Sequence, residues 1–200
     1  MDNPKISGLL FFLGGSLVLM GIITAEAMYP PGYTTFKNEI SDLGSTKPPD
    51  ILIYQPSASI FNGTFVLAGM IVLVATYFQH QYFRKLIFTL PVSLFGIGLM
   101  GIGIFPGNVS PYHGMSSMLT LLCGGLSPIL AFSIVPAPFR YIGIAFGLVA
   151  LATWFMAIFS PAVLFSSIGM GGTERWIAYP IMLWLVGFGG YLMDDKNSKT

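Results

Sequence analysis

The chain has 200 residues, of which 54% are hydrophobic and only 8% charged, with a formal net charge of +1. A soluble domain carries about 25% charged residues, so this composition suits lipid rather than water as solvent. The near-neutral balance offers nucleic acid no binding surface, and the single cysteine, Cys123, excludes an intramolecular disulfide.

Six apolar stretches approach or exceed the ~20 residues that a helix needs to cross the hydrocarbon core. The first, 8–28, ends in "AEA" at 25–27, which resembles a signal-peptide cleavage site. Its apolar core of about 17 residues is longer than the usual ~7–15 of such signals, and a glutamate sits in the middle of the site. It reads as a retained helix. Glu26 near its end is an ionisable group in an apolar run, which marks a site unless the side chain reaches up to the headgroups.

The following connection (29–56) contains "TTFKNEISDLGST" at 34–46, the most charged stretch between two apolar ones. Phe36, Ile40 and Leu43 recur at i, i+4 and i+7, which predicts a short interfacial helix that Thr35 caps and Gly44 ends. Asn38, Glu39, Ser41 and Asp42 then face water or a cavity, where Glu39 and Asp42 are placed to bind one cation or share a proton. A solvated polar face without chemistry is the competing reading.

The second span, 57–78, carries Asn62 about one turn in, and an amide there needs a partner across a helix interface. The third, 86–105, includes "GIGLMG" at 96–101. No strand precedes it, so its glycines read as a packing seam rather than a dinucleotide loop. "SPYHGMSSM" leads into the fourth span, 115–135, and places His113 beside Ser110, Ser116 and Ser117. Cys123 reads as a small residue in a packing seam. The fifth span is 141–160. It and the third each run from a basic start to an Ile-Phe and a proline, a weak internal likeness.

"PAVLFSSIGMGGTER" (161–175) reads as a long loop before the sixth span, 176–193. Thr173 caps that helix in this reading, Glu174 lies in its positive first turn, and Arg175 either pairs with Glu26, Glu39 or Asp42 or holds a phosphate or carboxylate. Trp176 suits an interfacial anchor.

Short connections at one side carry Lys5, Arg84, Lys85, Arg140, Lys196 and Lys199, against Lys37, Lys47 and Arg175 at the other. Six against three orients both termini to the cytoplasm of a multi-pass cell-membrane protein, with the longer connections outside. The tail "DDKNSKT" reads as frayed.

The expected fold is therefore all-α: one integral membrane domain over 1–200, a bundle of six transmembrane helices with a short interfacial helix in the first outer loop. Glu26, Glu39, Asp42 and His113 are the candidate catalytic groups. Asn62, Arg175, Ser41 and Glu174 are the candidate substrate-binding groups, all expected at one outer pocket. A membrane-embedded hydrolase acting on lipid or an amphipathic small molecule fits these groups. A non-catalytic carrier, sensor or structural subunit, whose polar groups only close the outer end, fits them too. No spacing is diagnostic of a metal and no motif identifies a cofactor, so both stay unassigned. Partners expected are membrane lipids and a second copy or another membrane protein; glycines such as Gly187, Gly189 and Gly190 suit tight packing within the bundle and partner contact equally well.

Several pieces taken together resemble a known family. They are the outer "ISDLG", the "SIFNGTFVLAGM" that opens helix two, "GIFPGN" closing helix three, "HGMSSMLTLLCGG" opening helix four, and "ERWIAYPIMLWLVGFGGYL" as helix six. The order is similar to a prokaryotic family of small six-helix membrane proteins, domain of unknown function nine-nine-eight. The resemblance spans nearly the whole chain and implies a six-helix fold and a membrane address. It implies no reaction.

Overall fold

Backbone amides within hydrocarbon must bond inside their own segment, so each long apolar run folds as a helix. The computed structural model describes residues 3–194, and among these it holds six α-helices and no strand. They are α1 (Asn3–Ala27), α2 (Ser57–Phe83), α3 (Leu86–Ile104), α4 (Tyr112–Leu130), α5 (Phe139–Phe159) and α6 (Pro161–Met193). All six are long and apolar enough to cross a membrane. Lys196, Lys199 and most of the tail expected to fray lie outside the described residues.

The surface agrees with that solvent. Leu86, Ile87 and Leu90 on α3, and Leu148, Phe155 and Phe159 on α5, are exposed. Apolar girdles of this extent are rare on soluble monomers. The molecule is a polytopic all-α membrane protein.

Helices adjacent in sequence pack side by side, and α6 closes the ring against α1 while also touching α4. Lipid is as apolar as a helix face, so close packing rather than transfer from water supplies the cohesion. The centre shows it: Phe188 meets Phe11 at 5.6 Å, Phe88 at 5.5 Å and Trp184 at 5.0 Å between ring centroids, which joins α1, α3 and α6. The glycines of "GIGLMG" do form a seam. A Cβ on Gly98 would lie 2.4 Å from the Thr120 hydroxyl, and one on Gly101 would lie 2.3 Å from that of Ser116. Gly189 faces α1 of the same chain.

Two local expectations fail. Residues 34–46 do not form a helix; a single 3-10 turn, Ser41–Leu43, is all that appears. Ile40 and Leu43 are buried as their spacing suggested, but Phe36 is 51% exposed. The long loop expected over 161–175 is instead helical, as the first part of α6, interrupted at Gly169 (φ 74, ψ 170). Thr173 consequently caps nothing and donates back to the Gly169 carbonyl at 2.7 Å. The first difference comes from the docking of the 28–56 connection onto α6, whose side chains take the peptide groups a helix would use.

Candidate functional site

Residues 28–56, together with the connections at 105–111 and at Ser160, gather at one end of the bundle, called here the capped end. The cap is held by α6. At the Gly169 break the backbone takes a left-handed φ, and a Cβ there would lie 1.9 Å from the Phe36 carbonyl oxygen. At Gly171 a Cβ would lie 2.0 Å from the Asn38 carbonyl oxygen. Missing side chains thus let the loop backbone touch the helix, and the Gly171 amide donates to Phe36 at 3.1 Å.

One turn further, Arg175 collects the loop. Its Nη1 donates to the carbonyls of Thr35 (3.3 Å), Asn38 (3.0 Å) and Gly171 (2.9 Å). Its Nη2 donates to the Tyr33 hydroxyl at 2.7 Å and to the Glu26 carboxylate at 3.3 Å. Tyr33 in turn donates to the Glu39 carbonyl at 3.0 Å. Burial raises the Tyr33 phenol well above its ordinary range, more than Arg175 lowers it, so the hydroxyl keeps the proton it donates. Glu174 accepts the amides of Ile40 and of Ser41, the latter at 3.3 Å. A helix over 35–43 would need those carbonyls and amides for itself; here α6 side chains have taken them.

Beneath the cap, between α4, α5 and α6, lies a cavity of about 200 Å³. Its polar lining is Glu39, Ser41, Lys47, His113, Ser117, Thr173 and Glu174, and its apolar lining includes Leu121, Trp154, Phe165 and Ile177. Lys47 pairs with the Glu39 carboxylate. Burial lowers the Lys47 ammonium, but Glu39, with Glu174 and Asp42, outweighs it, so the net shift is upward and the side chain stays charged. His113 is buried, and its Nδ1 lies 2.7 Å from the Phe105 carbonyl oxygen. A carbonyl only accepts, so Nδ1 carries the ring proton and Nε2 of the neutral ring is an acceptor. Nε2 lies 3.4 Å from the Ser117 hydroxyl, one turn along α4.

A family model described as "Protein of unknown function (DUF998)" matches residues 12–191. The chain belongs to that family. Every cavity residue named above falls within the matched span of this DUF998 protein. No curated protein and no solved structure matches the chain.

The DUF998 fold divides the eight candidate residues. Glu39, Ser41, His113 and Glu174 line one cavity. Arg175 and Glu26 pair with each other away from it, with Arg175 only 7% exposed and Glu26 half-buried. Asp42 accepts the Glu39 amide at 2.9 Å and so shapes the turn. Burial first, and the Glu39 carboxylate second, raise the Asp42 carboxyl above its ordinary 3.8. Asn62 presses its Oδ1 towards Gly44 and finds no protein partner for that atom. Among the described residues, no group of three His, Cys, Asp or Glu stands close enough to hold a metal ion.

Lys47 and Ser117 belong to the cavity but not to the expected set. Ser117 was legible in principle, since "HGMSS" sets it one helical turn beyond the histidine. Lys47 carried no local signal beyond its charge.

Proposed function

We propose that this protein is a membrane-embedded hydrolase that acts on a lipid or an amphipathic small molecule, with the capped end on the extracytoplasmic side of the cell membrane and His113 as general base. The observation that carries the reading is the 2.7 Å contact between His113 Nδ1 and the Phe105 carbonyl oxygen. With Nδ1–H bonded to the Phe105 carbonyl, the basic Nε2 is held ready in a cavity lined by both polar and apolar side chains. A polar head enters among Glu39, Lys47 and His113, while the apolar part rests against Leu121, Trp154 and Phe165. The orientation draws on Lys5, Arg84, Lys85 and Arg140, which lie towards the end opposite Lys37, Lys47 and Arg175.

A second reading, a non-catalytic protein whose polar groups only close one end, draws on the Arg175 network. That guanidinium is engaged by five protein acceptors. We assign Arg175 and Glu26 to holding the cap, which leaves the chemistry to the cavity.

The test is hydrolysis of a panel of phospholipids and amphipathic acyl esters by the full chain in proteoliposomes. Release of product by the wild type, reduced about 10²–10⁴-fold in His113→Asn at unchanged thermal stability, is the expected result. Equal rates in the two proteins, or no release from any member of the panel, would overturn it.

A further inference from the structure

Hydroxyls inside these helices follow a common pattern. Thr24, Thr76, Thr120, Ser127 and Thr173 each donate to the backbone carbonyl four residues earlier, at 2.7 to 2.8 Å. That bond is what a helical Ser or Thr makes when nothing else claims it. Ser117 departs from the pattern, as do Ser7, which donates across to the Ala75 carbonyl of α2, and Ser59, which donates to the Gln55 side chain. The Ser117 hydroxyl faces the Nε2 of His113, also four residues earlier, and both groups line the cavity beneath the cap. A hydroxyl aimed at an acceptor imidazole whose other nitrogen is fixed by a third group has the arrangement of an activated nucleophile. Here the third group is the Phe105 carbonyl. The separation of 3.4 Å is long for a hydrogen bond, and such bonds tighten when substrate binds.

We propose that Ser117 is a nucleophile, that His113 is its base, and that the substrate class is a carboxylic ester bearing an apolar chain. The inference rests on the hydrolase reading above and adds to it a covalent intermediate. Ser117 Oγ attacks the ester carbonyl carbon, a new C–O bond forms, and the hydroxyl proton passes to His113 Nε2. The tetrahedral species collapses, the bond to the leaving oxygen breaks, and the departing alcohol takes the proton from His113. Water then attacks the Ser117 acyl ester and gives a proton to His113, which returns it to Ser117 Oγ as the carboxylic acid leaves. Lys47 supplies positive charge in the same cavity while the carbonyl oxygen is anionic. The apolar chain lies against Leu121 and Trp154.

The full chain in detergent micelles is treated with an alkyl fluorophosphonate and analysed by peptide mass spectrometry, and ester turnover is measured in parallel. One adduct on Ser117 is expected. Labelling should disappear in Ser117→Ala and fall at least about 10²-fold in His113→Asn. Ester turnover should drop about 10³-fold or more in Ser117→Ala, with the thermal midpoint unchanged. Turnover that survives Ser117→Ala but not His113→Asn overturns the nucleophile and leaves the hydrolase reading standing, with His113 activating water directly. Absence of both the adduct and wild-type turnover overturns the two together.

Discussion

Arg175 Nη2 donates to the Tyr33 hydroxyl at 2.7 Å, and this contact ties the connection after α1 to the middle of α6, 142 residues away in sequence. The guanidinium is also shared among three backbone carbonyls and Glu26. Removing it strands all of them at a site where Arg175 is 7% exposed. Arg175→Met should therefore lower stability by about 3 kcal/mol, the scale of breaking a buried charged network. Glu26→Gln should cost less than about 1 kcal/mol, because Glu26 is a third exposed and its contact is 3.3 Å long. Thermal unfolding of the two variants in the same detergent checks the order, and equal losses would contradict it.

Gly171 is a second point, after Gly169, where the cap backbone presses on α6. A methyl there meets the Asn38 oxygen at 2.0 Å and the Thr35 oxygen at 2.5 Å, both backbone atoms that cannot swing away. Gly171→Ala should cost about 3 kcal/mol. It should also speed proteolysis within residues 28–56. Gly63→Ala, where no atom lies within 4 Å of the added carbon, should leave both measurements unchanged.

The Asp42 carboxyl gives the cap a pH dependence. Its folded pKa lies above the ordinary 3.8, so the folded state binds this proton more tightly than the unfolded chain does. Its contribution is fully present below 3.8 and is lost as pH rises through the raised folded value. At pH 7 the ionised group is a liability. Asp42→Asn keeps an oxygen to accept the Glu39 amide and should be at least as stable as wild type at pH 7, with the difference shrinking on acidification. Midpoints of the two proteins from pH 7 down to pH 4 check it. A variant less stable at pH 7, by an amount independent of pH, would contradict it.

Much of the fold was legible because its cause is local. An apolar run of membrane length has one good solution, and each of the six runs took it. The errors fall where distant segments compete for the backbone. Phe36, Ile40 and Leu43 have helical spacing, but Arg175 and Glu174 capture the peptide groups that a helix would use. Partners more than 130 residues away leave no trace in a local pattern. The segment 161–175 looked like a loop because it is rich in Gly and Ser; those glycines instead admit the loop backbone against a helix. Of the site, Glu39, Ser41, His113 and Glu174 stood out because polar groups are scarce in this chain. Ser117 was one serine among several, and its contact with the His113 ring inside the cavity distinguishes it.

The proposed chemistry is confined to the cavity between α4, α5 and α6. Gly114 lines it from α4, is exposed, and has open space where a side chain would begin. A tryptophan there adds bulk at the lining of a cavity of about 200 Å³ and meets no neighbour at its Cβ. Turnover of amphipathic esters by Gly114→Trp in proteoliposomes is thus the most direct measurement. Loss of hydrolysis with an unchanged thermal midpoint is expected. Wild-type hydrolysis by that variant would mean that the chemistry happens elsewhere.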